Sequence, residues 1–589
     1  MTDSRSSLHH CPWRSHRFAP LAVSLIALMA GAAPQAFAQQ VGQSAPSTLS
    51  MLNAMVKNGV VTREQADKIL NEAAAEDAAR GVPAGRSVEA PLPAGTKRVT
   101  YVPETVKDQI RDEVKQQVMA QAKNEGWATP NQVPEWTQRI KFSGDIRGRY
   151  DGTSFPKGNI TGYDVADAWD FNAINTGKPI DVSATTVAND RYRNVDQNRD
   201  RMRLRARLGV DADIGEGFSS GIRLATGSGS DPVSTNQSLG GSGGNFSKYQ
   251  VWLDRAFIHW DGMKDEDKAL GINVGRFNNP FFATDLIWDG DLGFDGVAAT
   301  GRYQVAKGVT PFVTVGAFPV YNTDFNLSSD QPNKENSHDK WLFGAQAGTD
   351  WKPSQDVGVK LGVAYYYFSN IEGKESSPCA LWDSSVACDT DSFRPSFAQK
   401  GNTYMSLRTE AAGRTTADTS TYQYFGLATP FRELALTGRF DYDGLKPQGY
   451  RPLRVSVDGE FVKNLGFNKK RLDELAWNNV VCDSSGTCSY EGGDSGYLAR
   501  VTVGMSKLAE RWDWQANLAY KYVESDAVVD GLTDSDFGLG GTNLKGFIFG
   551  ADMALAPNVW TSFRWMSADN ISGATFSVDT VLLDLTARF

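Results

Sequence analysis

The sequence predicts an all-β fold: a transmembrane antiparallel β-barrel of 16 strands over residues 138–589, preceded by a short α-helical region. Three observations support this fold. From residue 138 onward, apolar side chains recur at every second position, which is the period of a strand with two unlike faces. The alternating segments run for about 10–14 residues, longer than the ~5–6 residues common in soluble strands. Short and long connections alternate, as they do between the two ends of a membrane barrel.

The composition agrees with an exported, folded β-protein and excludes other classes. The chain of 589 residues is 41% hydrophobic, 11% aromatic and 22% charged, which is too aromatic for a disordered chain. A net charge of -9 argues against nucleic acid as a partner. No apolar run reaches the ~18 residues that a transmembrane helix needs.

Residues 1–38 have the pattern of a secretory signal peptide. Three arginines supply the positive start, residues 21–33 form an apolar stretch, and Ala36-Phe37-Ala38 is an A-x-A cleavage site. Its removal would leave four cysteines in an oxidising compartment.

The region between the signal and the barrel predicts helices. Residues 39–80 are rich in Ala, Glu and Leu and break at Asn58-Gly59, which indicates a helical hairpin. Residues 81–101 contain Pro and Gly and are typical of a linker. Residues 102–137 predict a helix with one narrow apolar stripe. Because such a helix is not stable alone, it either pairs with copies of itself as a short coiled coil or packs on its own chain.

The clearest strand covers residues 199–214, where Met202 and Leu204 alternate with arginines. One apolar and one charged face fit lipid outside and water inside, but a soluble sandwich or propeller gives the same alternation. Trp341 and Trp351 favour the membrane barrel, since ten residues at ~3.3 Å each and a ~40° tilt place them ~25 Å apart, like two aromatic girdles.

An even number of strands places both ends of the barrel in the periplasm. The N-terminal helices are therefore expected in the periplasm, within reach of the cell wall. Residues 420–428 have room for two more short strands, so a count of 18 stays open.

Residues 275–291, GRFNNPFFATDLIWDGD, and residues 294–297, FDGV, resemble the Gram-negative "putative porin" family. The resemblance covers the signal, the helices and the barrel. It implies a homotrimeric channel with a periplasmic helical part, in contact with outer-membrane lipids and lipopolysaccharide. Phe589 resembles the terminal recognition signal of outer-membrane barrels and implies contact with the barrel-assembly machinery.

Five arginines share one face of the clearest strand: Arg199, Arg201, Arg203, Arg205 and Arg207. An arginine facing lipid costs ~2–4 kcal/mol at the bilayer midplane, so this face belongs in the lumen. The pattern is typical of a basic pore wall; the alternative is a solvated interior whose arginines pair with carboxylates.

The third long loop, residues 277–293, is acidic and precedes a further aspartate. These four residues are candidates for a pore constriction: Asp285, Asp289, Asp291 and Asp295. In porins this loop folds inward, and an acidic loop facing a basic wall creates a transverse field that selects polar solutes. A surface loop is the alternative, although the apolar side chains of the loop favour the inward fold. The spacing fails the EF-hand pattern, so neither a metal nor a cofactor is expected.

The four remaining cysteines form two close pairs, Cys379 with Cys388 and Cys482 with Cys488, each within one long loop. Four cysteines allow three connectivities, and local disulfides are expected in an oxidising compartment. A zinc site is the alternative, but it would need both pairs to meet. The local sequence around the histidines holds no catalytic arrangement, so an enzyme is not expected.

Three functions remain open at this point. The first is passive diffusion of small hydrophilic solutes through a water-filled barrel. The second is a substrate-specific anion channel that uses the arginines. The third is a structural or adhesive barrel that binds the cell wall or other cells through its helices and long loops.

Overall fold

The computed structural model describes residues 135–160, 171–183, 194–241, 244–265, 267–323, 338–448 and 451–589, with Val114 and Val118. The chain divides into two units, residues 1–127 and 128–589. Val114 and Val118 are helical and belong to the first unit. The predicted signal peptide, helical hairpin and linker, and most of the predicted helix 102–137, lie outside the described residues. No helix of the described part is long and apolar enough to cross a membrane.

The second unit is a closed barrel of 16 antiparallel strands, as the sequence predicted. Each strand pairs with the next along the chain, and the first also pairs with the last. The strands are β1 (Ile140–Ser154), β2 (Arg199–Gly215), β3 (Phe218–Thr226), β4 (Val251–Lys264), β5 (Lys268–Phe277), β6 (Phe294–Tyr303), β7 (Val309–Tyr321), β8 (Lys340–Trp351), β9 (Val357–Ser369), β10 (Arg432–Leu445), β11 (Leu453–Asn464), β12 (Ser495–Gly504), β13 (Trp514–Val523), β14 (Leu544–Ala556), β15 (Val559–Asn570) and β16 (Ser577–Arg588).

Short elements decorate the barrel. Among the described residues of this unit, the helices are α1 (Glu135–Arg139), α2 (Phe171–Thr176) and α3 (Lys469–Leu475), and three short 3₁₀ segments are Asp391–Phe393, Asp530–Leu532 and Phe537–Leu539. The two-residue strand Gln237–Ser238 pairs with β2. Four pairs of short strands lie outside the barrel sheet: Pro378–Cys379 with Thr409–Glu410, Tyr404–Ser406 with Phe425–Leu427, Tyr422–Gln423 with Ile180–Asp181, and Val480–Cys482 with Cys488–Tyr490. The segment 420–428 therefore adds no barrel strand, and the count is 16.

The seam where β1 meets β16 closes the sheet and leaves no free edge. Beyond the strand register, the N–H of Phe589 donates to Gly144 O at 3.0 Å, and the N–H of Gly144 donates to Phe589 O at 2.9 Å. A side chain at position 144 would come within 2.5 Å of the Phe589 ring and 2.6 Å of the Arg207 carbonyl oxygen. Glycine at 144 therefore allows the close approach at the seam.

The two faces of the strands differ as the alternation predicted. On β8, Trp341 and Phe343 are exposed outward whereas Lys340 and Leu342 are buried inside. Trp351, at the far end of the same strand, is also exposed. The outer surface of the barrel is therefore apolar and aromatic along its length, which suits contact with lipid.

The links between strands are unequal at the two ends, and the end with the long links is called the outer end here. At the other end, residues 215–217 turn β2 into β3, and Gly215, Glu216 and Gly217 have φ of 98°, 52° and 82°. Glycine supplies the positive φ that such tight hairpin turns require.

Long links at the outer end fold into the barrel and build its hydrophobic core. The main contributors are loop 278–293, loop 370–431 and loop 524–543. Core residues include Leu286, Ile287, Trp288, Tyr366, Phe431 and Phe537. The hydrophobic core is thus formed by loops that pack inside the barrel and not by a layer between two sheets.

Both predicted cysteine pairs are disulfide-bonded, each within one outer loop. Cys379 joins Cys388 within loop 370–431. Cys482 joins Cys488 and closes the short hairpin of residues 480–490.

Candidate functional site

The predicted arginines lie along β2 with their side chains inside the barrel. We call four of them the arginine ladder: Arg201, Arg203, Arg205 and Arg207. They share a face because they are two residues apart on one strand. The fifth arginine, Arg199, lies at the outer end of β2.

Each of two carboxylates on β1 is shared by two ladder arginines. Asp151 forms ion pairs with the two ladder arginines nearest the outer end, at 2.7 and 3.4 Å. Asp145 forms ion pairs with the other two, at 3.0 and 2.6 Å. Four guanidinium groups meet two carboxylates, so these six side chains carry two excess formal positive charges. The ladder side chains keep exposures between 13% and 27%, so water still reaches them.

A buried ion-pair cluster lies next to the ladder. Arg149 of β1, whose side chain is 1% exposed, donates to both carboxylate oxygens of Asp584 at 2.7 and 2.9 Å and to Asp536 of loop 524–543 at 3.0 Å. Arg564 of β15 donates to Asp536 at 3.1 Å. Burial by itself raises the pKa of Asp536, but Arg149 and Arg564 outweigh burial and hold that pKa below its usual range. The cluster therefore ties an outer loop to the strands around the seam.

The predicted acidic residues are divided between two walls of the barrel. Asp291 accepts hydrogen bonds from the backbone and hydroxyl of Thr235 at 3.1 and 3.0 Å and lies 4.0 Å from Arg207 of the ladder. Asp285 instead accepts a hydrogen bond from Arg500 of β12 at 2.6 Å. Burial by itself raises the pKa of Asp285, but the positive charge of Arg500 outweighs it, so the pKa lies below its usual value.

Among the ion pairs of the described residues, none joins Asp289 or Asp295 to a ladder arginine. The Asp289 side chain accepts from the backbone N–H of Ser535 at 3.0 Å. Burial, followed by the charge of Asp534, raises the pKa of Asp289 to about 8. Asp295 lies on β6 and pairs with Arg276 at 2.7 Å. Loop 278–293 folds inward, as the sequence analysis expected, but its carboxylates do not form one row opposite the arginines.

Residues 534–536 contribute to two polar cavities inside the barrel: Asp534 lines one, and Ser535 and Asp536 line the other. The outer cavity has a volume of about 390 Å³ and is bordered by Arg199, the outer part of the ladder, Ser535 and Asp536. The inner cavity has a volume of about 340 Å³ and is bordered by Asp534, Arg564 and Arg500. Loop 524–543, to which the sequence analysis assigned no role, is therefore central to the lumen.

Half a turn around the barrel from the ladder, β10–β12 form what we call the opposite wall. It carries basic side chains that the sequence analysis missed, each with its own carboxylate. The pairs are Arg439 with Asp441, Arg454 with Asp443, and Arg500 with Asp285, at 3.0, 2.7 and 2.6 Å. A single inward arginine on a strand is a much weaker sequence signal than five alternating arginines on one strand. These three arginines lie on different strands, and only the strand order shows that they are neighbours.

Loop 524–543 is held in place by two buried carboxylates. Asp530 accepts a hydrogen bond from the Tyr404 hydroxyl at 2.9 Å. Asp526 accepts from the backbone and hydroxyl of Thr403 at 2.8 and 2.6 Å and from the Tyr490 hydroxyl at 2.9 Å. Burial raises the pKa of Asp526, and it raises the pKa of Asp530 to about 7. The loop that borders both cavities is thus anchored to two other outer loops.

A closed sheet of 16 strands, apolar outside and charged inside, defines an outer-membrane β-barrel channel. A family model described as "Putative porin" matches residues 45–589, so the chain belongs to that family. A search of curated proteins finds no match.

Several solved barrels are similar to the chain. OprB of Pseudomonas putida is 12% identical with a TM-score of 0.39, over 77% of this chain and 96% of that chain. OmpF of Salmonella typhi is 10% identical with a TM-score of 0.34, over 76% and 97%. OmpT of Vibrio cholerae, described as a trimer form, is 9% identical with a TM-score of 0.34, over 76% and 99%.

Proposed function

We propose that this channel is a porin through which small hydrophilic solutes diffuse passively across the outer membrane. The observation that carries the proposal is the pair of polar cavities on either side of residues 534–536, between the ladder and the opposite wall. Charged and hydroxyl side chains dominate both cavity linings, so hydrated solutes are favoured over apolar ones. Ion-paired arginines hold these linings in place without closing them to water.

Conductance of the purified full-length protein in planar bilayers tests this proposal. We expect stepwise current increases at ~0.1 M and ~1 M salt. A Ser535→Trp variant, which adds bulk to the lining of the outer cavity, is expected to lower the single-channel conductance. Inserted wild-type protein that carries no current would refute the proposal.

A preference for anions is a second proposal, and it rests on the shared carboxylates of β1. Counted with Asp145, Asp151 and the more distant Asp291, the ladder carries one excess positive charge, whereas each arginine of the opposite wall has its own partner. A local positive excess raises the concentration of anions near it. Reversal potentials in a salt gradient measure this preference.

The assembly proposed for the porin is a homotrimer in the outer membrane, in contact with lipid and lipopolysaccharide and with its N-terminal helices in the periplasm. The family membership supports this arrangement. Phe589, which is 63% exposed next to the seam, is proposed to serve as the signal to the barrel-assembly machinery. Chemical cross-linking of whole cells tests the trimer, and Phe589→Ala tests the signal by the amount of folded protein that reaches the membrane.

A further inference from the structure

An apolar pocket separate from the two polar cavities lies inside the barrel near the outer ends of β6–β8. Its volume is about 160 Å³. Its walls come from loop 278–293, the three strands, loop 370–431 and loop 524–543. Lining residues include Trp288, Leu292, Phe294, Phe318, Leu342 and Leu532. The Arg276–Asp295 ion pair also borders the pocket, and because it is 30% and 51% exposed, this edge reaches solvent.

Lys340 of β8 is among the residues that line this apolar space. The residue is 1% exposed, and its Nζ donates to the carbonyl oxygen of Ser392 at 2.8 Å. Nζ also lies 5.3 and 5.6 Å from the ring centroids of Tyr321 and Phe393. An ammonium group has three N–H donors, so two remain for another acceptor.

The charge of Lys340 lacks a close counter-ion among the described residues, whose ion pairs include none with this lysine. Asp339 and Glu372 act on it only from beyond ion-pair distance, and Arg394 opposes their effect. A buried ammonium group without a carboxylate partner is costly. A ligand that carries a carboxylate would therefore supply the counter-ion that Lys340 lacks.

We propose that the pocket binds a small organic monoanion whose apolar part is about the size of one ring and whose carboxylate accepts hydrogen bonds from Lys340. Size supports the ring, since an apolar protein cavity of about 150 Å³ is known to bind benzene. Charge complementarity supports the carboxylate, because a charge-assisted hydrogen bond is roughly twice as strong as a neutral one.

The pocket adjoins the path of solutes without being part of it. Loop 278–293 and residues 529–532 separate it from residues 534–536, and the Asp289 N–H donates to the Leu532 carbonyl oxygen at 2.9 Å across this partition. Binding in the pocket therefore does not require that the lumen conduct. A bound monoanion would stay beside the lumen while other solutes pass.

Fluorine NMR of 4-fluorobenzoate with the full-length protein in detergent micelles tests the pocket. We expect the ligand signal to broaden with protein beyond the effect of empty micelles, and neutral 4-fluorobenzamide to bind about tenfold or more weakly. The Lys340→Met variant, which keeps the length and removes the charge, is expected to weaken benzoate binding by about tenfold or more, as the loss of a charged hydrogen bond implies.

Lys360→Met is the matched control. Lys360 on β9 also contacts two aromatic rings, with Nζ 4.4 and 5.0 Å from the centroids of Phe282 and Phe312, but it lies outside the pocket. Its replacement should leave benzoate affinity unchanged. A Leu532→Phe variant fills the pocket while Lys340 remains, and it should abolish binding; this second variant decides the question if Lys340→Met fails to fold.

Three results would overturn the pocket: no broadening with folded wild type, full binding by folded Lys340→Met, or full binding by Leu532→Phe. Conductance is measured separately. If the wild-type protein conducts but does not bind benzoate, only the proposal of monoanion binding in the pocket is refuted. If it binds benzoate but does not conduct, only the proposal of a porin is refuted.

Discussion

The arginine ladder and the opposite wall place similar side chains in the lumen but neutralise them differently. On β1–β2, each carboxylate serves two arginines, whereas on β10–β12 each arginine has a carboxylate of its own. The first arrangement leaves a positive excess and the second leaves none. The electrostatic field of a wall therefore depends less on its number of arginines than on how the carboxylates are distributed among those arginines.

The largest expected difference between the walls is in stability. Arg149, beside the ladder, and Arg454, on the opposite wall, each make a two-point ion pair, but the Arg149–Asp584 side chains are 1% and 9% exposed whereas those of Arg454–Asp443 are 31% and 37% exposed. Arg149→Met leaves Asp584 and Asp536 without that partner and should lower the free energy of unfolding by about 3–5 kcal/mol. Arg454→Met should lower it by about 0–1 kcal/mol. Urea unfolding followed by Trp fluorescence measures both, and equal losses would contradict the comparison.

Selectivity should respond to the ladder more than to the opposite wall. Replacing Arg203 and Arg205 by Ser removes the positive excess and should raise cation over anion permeability about fivefold, if the two charges together act with ~1 kcal/mol in water. Arg439→Ser with Arg454→Ser also removes two charges but should have a smaller effect, because these side chains are 42% and 31% exposed and water screens their charges more strongly. The measurement is the reversal potential in a salt gradient.

Salt provides the control for this selectivity effect. The Debye length falls from ~10 Å at 0.1 M to ~3 Å at 1 M, so the shift should shrink at high salt. Replacing Asp285 and Asp291 by Asn should move selectivity toward anions. If the ladder variant has wild-type selectivity at low salt, the ladder does not act on permeating ions.

Raising the pH should loosen the loops between the two walls. The pKa of Asp289 is raised to about 8 and that of Asp530 to about 7, both above the unfolded value of 3.8. The folded state therefore binds these protons more tightly, and its stability falls as pH rises from ~4 through ~8. Hydrogen exchange in loop 278–293, measured relative to β13, should accelerate about tenfold or more between pH ~6 and ~9. Asp289→Asn should reduce this pH dependence, and an unchanged dependence would exclude Asp289 as its source.

The smallest effect on the lumen is expected from the Cys482–Cys488 disulfide, which touches neither wall. A ring of this size contributes about 2–3 kcal/mol, mostly to the order of its own hairpin. Cys482→Ser with Cys488→Ser should raise hydrogen exchange in residues 480–490 and leave conductance and selectivity unchanged. A change in selectivity would show that the hairpin reaches the lumen.

The barrel was predictable from the sequence because lipid imposes a period of two on every strand. The strand over residues 199–214 was visible in local alternation, and the Trp341 and Trp351 pair gave the membrane height. The ladder was equally visible, since all its members lie on one strand. Period-two alternation depends on neighbours two residues apart, so no information from distant parts of the chain was needed.

The rest of the site depends on contacts between distant residues. Arg149 meets Asp584 across 435 positions of sequence, and Asp285 meets Arg500 across 215. Nothing near Asp285 indicates that it pairs with β12 and not with the ladder. Loop 524–543 has an ordinary loop composition, and its position between two cavities follows from buried hydrogen bonds of Asp526 and Asp530 to other loops. Such packing is not encoded in any short pattern.

The seam has a consequence for how the protein is made. Until β16 pairs with β1, the sheet has two unpaired edges, and a chain that stops before β16 keeps them. Closure also waits for the longest loop of polypeptide to be brought together, which makes it a late and slow event in folding. A chain that stops early is therefore expected to remain an open sheet with unpaired edges and not to form a narrower hole in the membrane. By making permeability depend on its final strand pairing, the architecture protects the cell from leakage during synthesis.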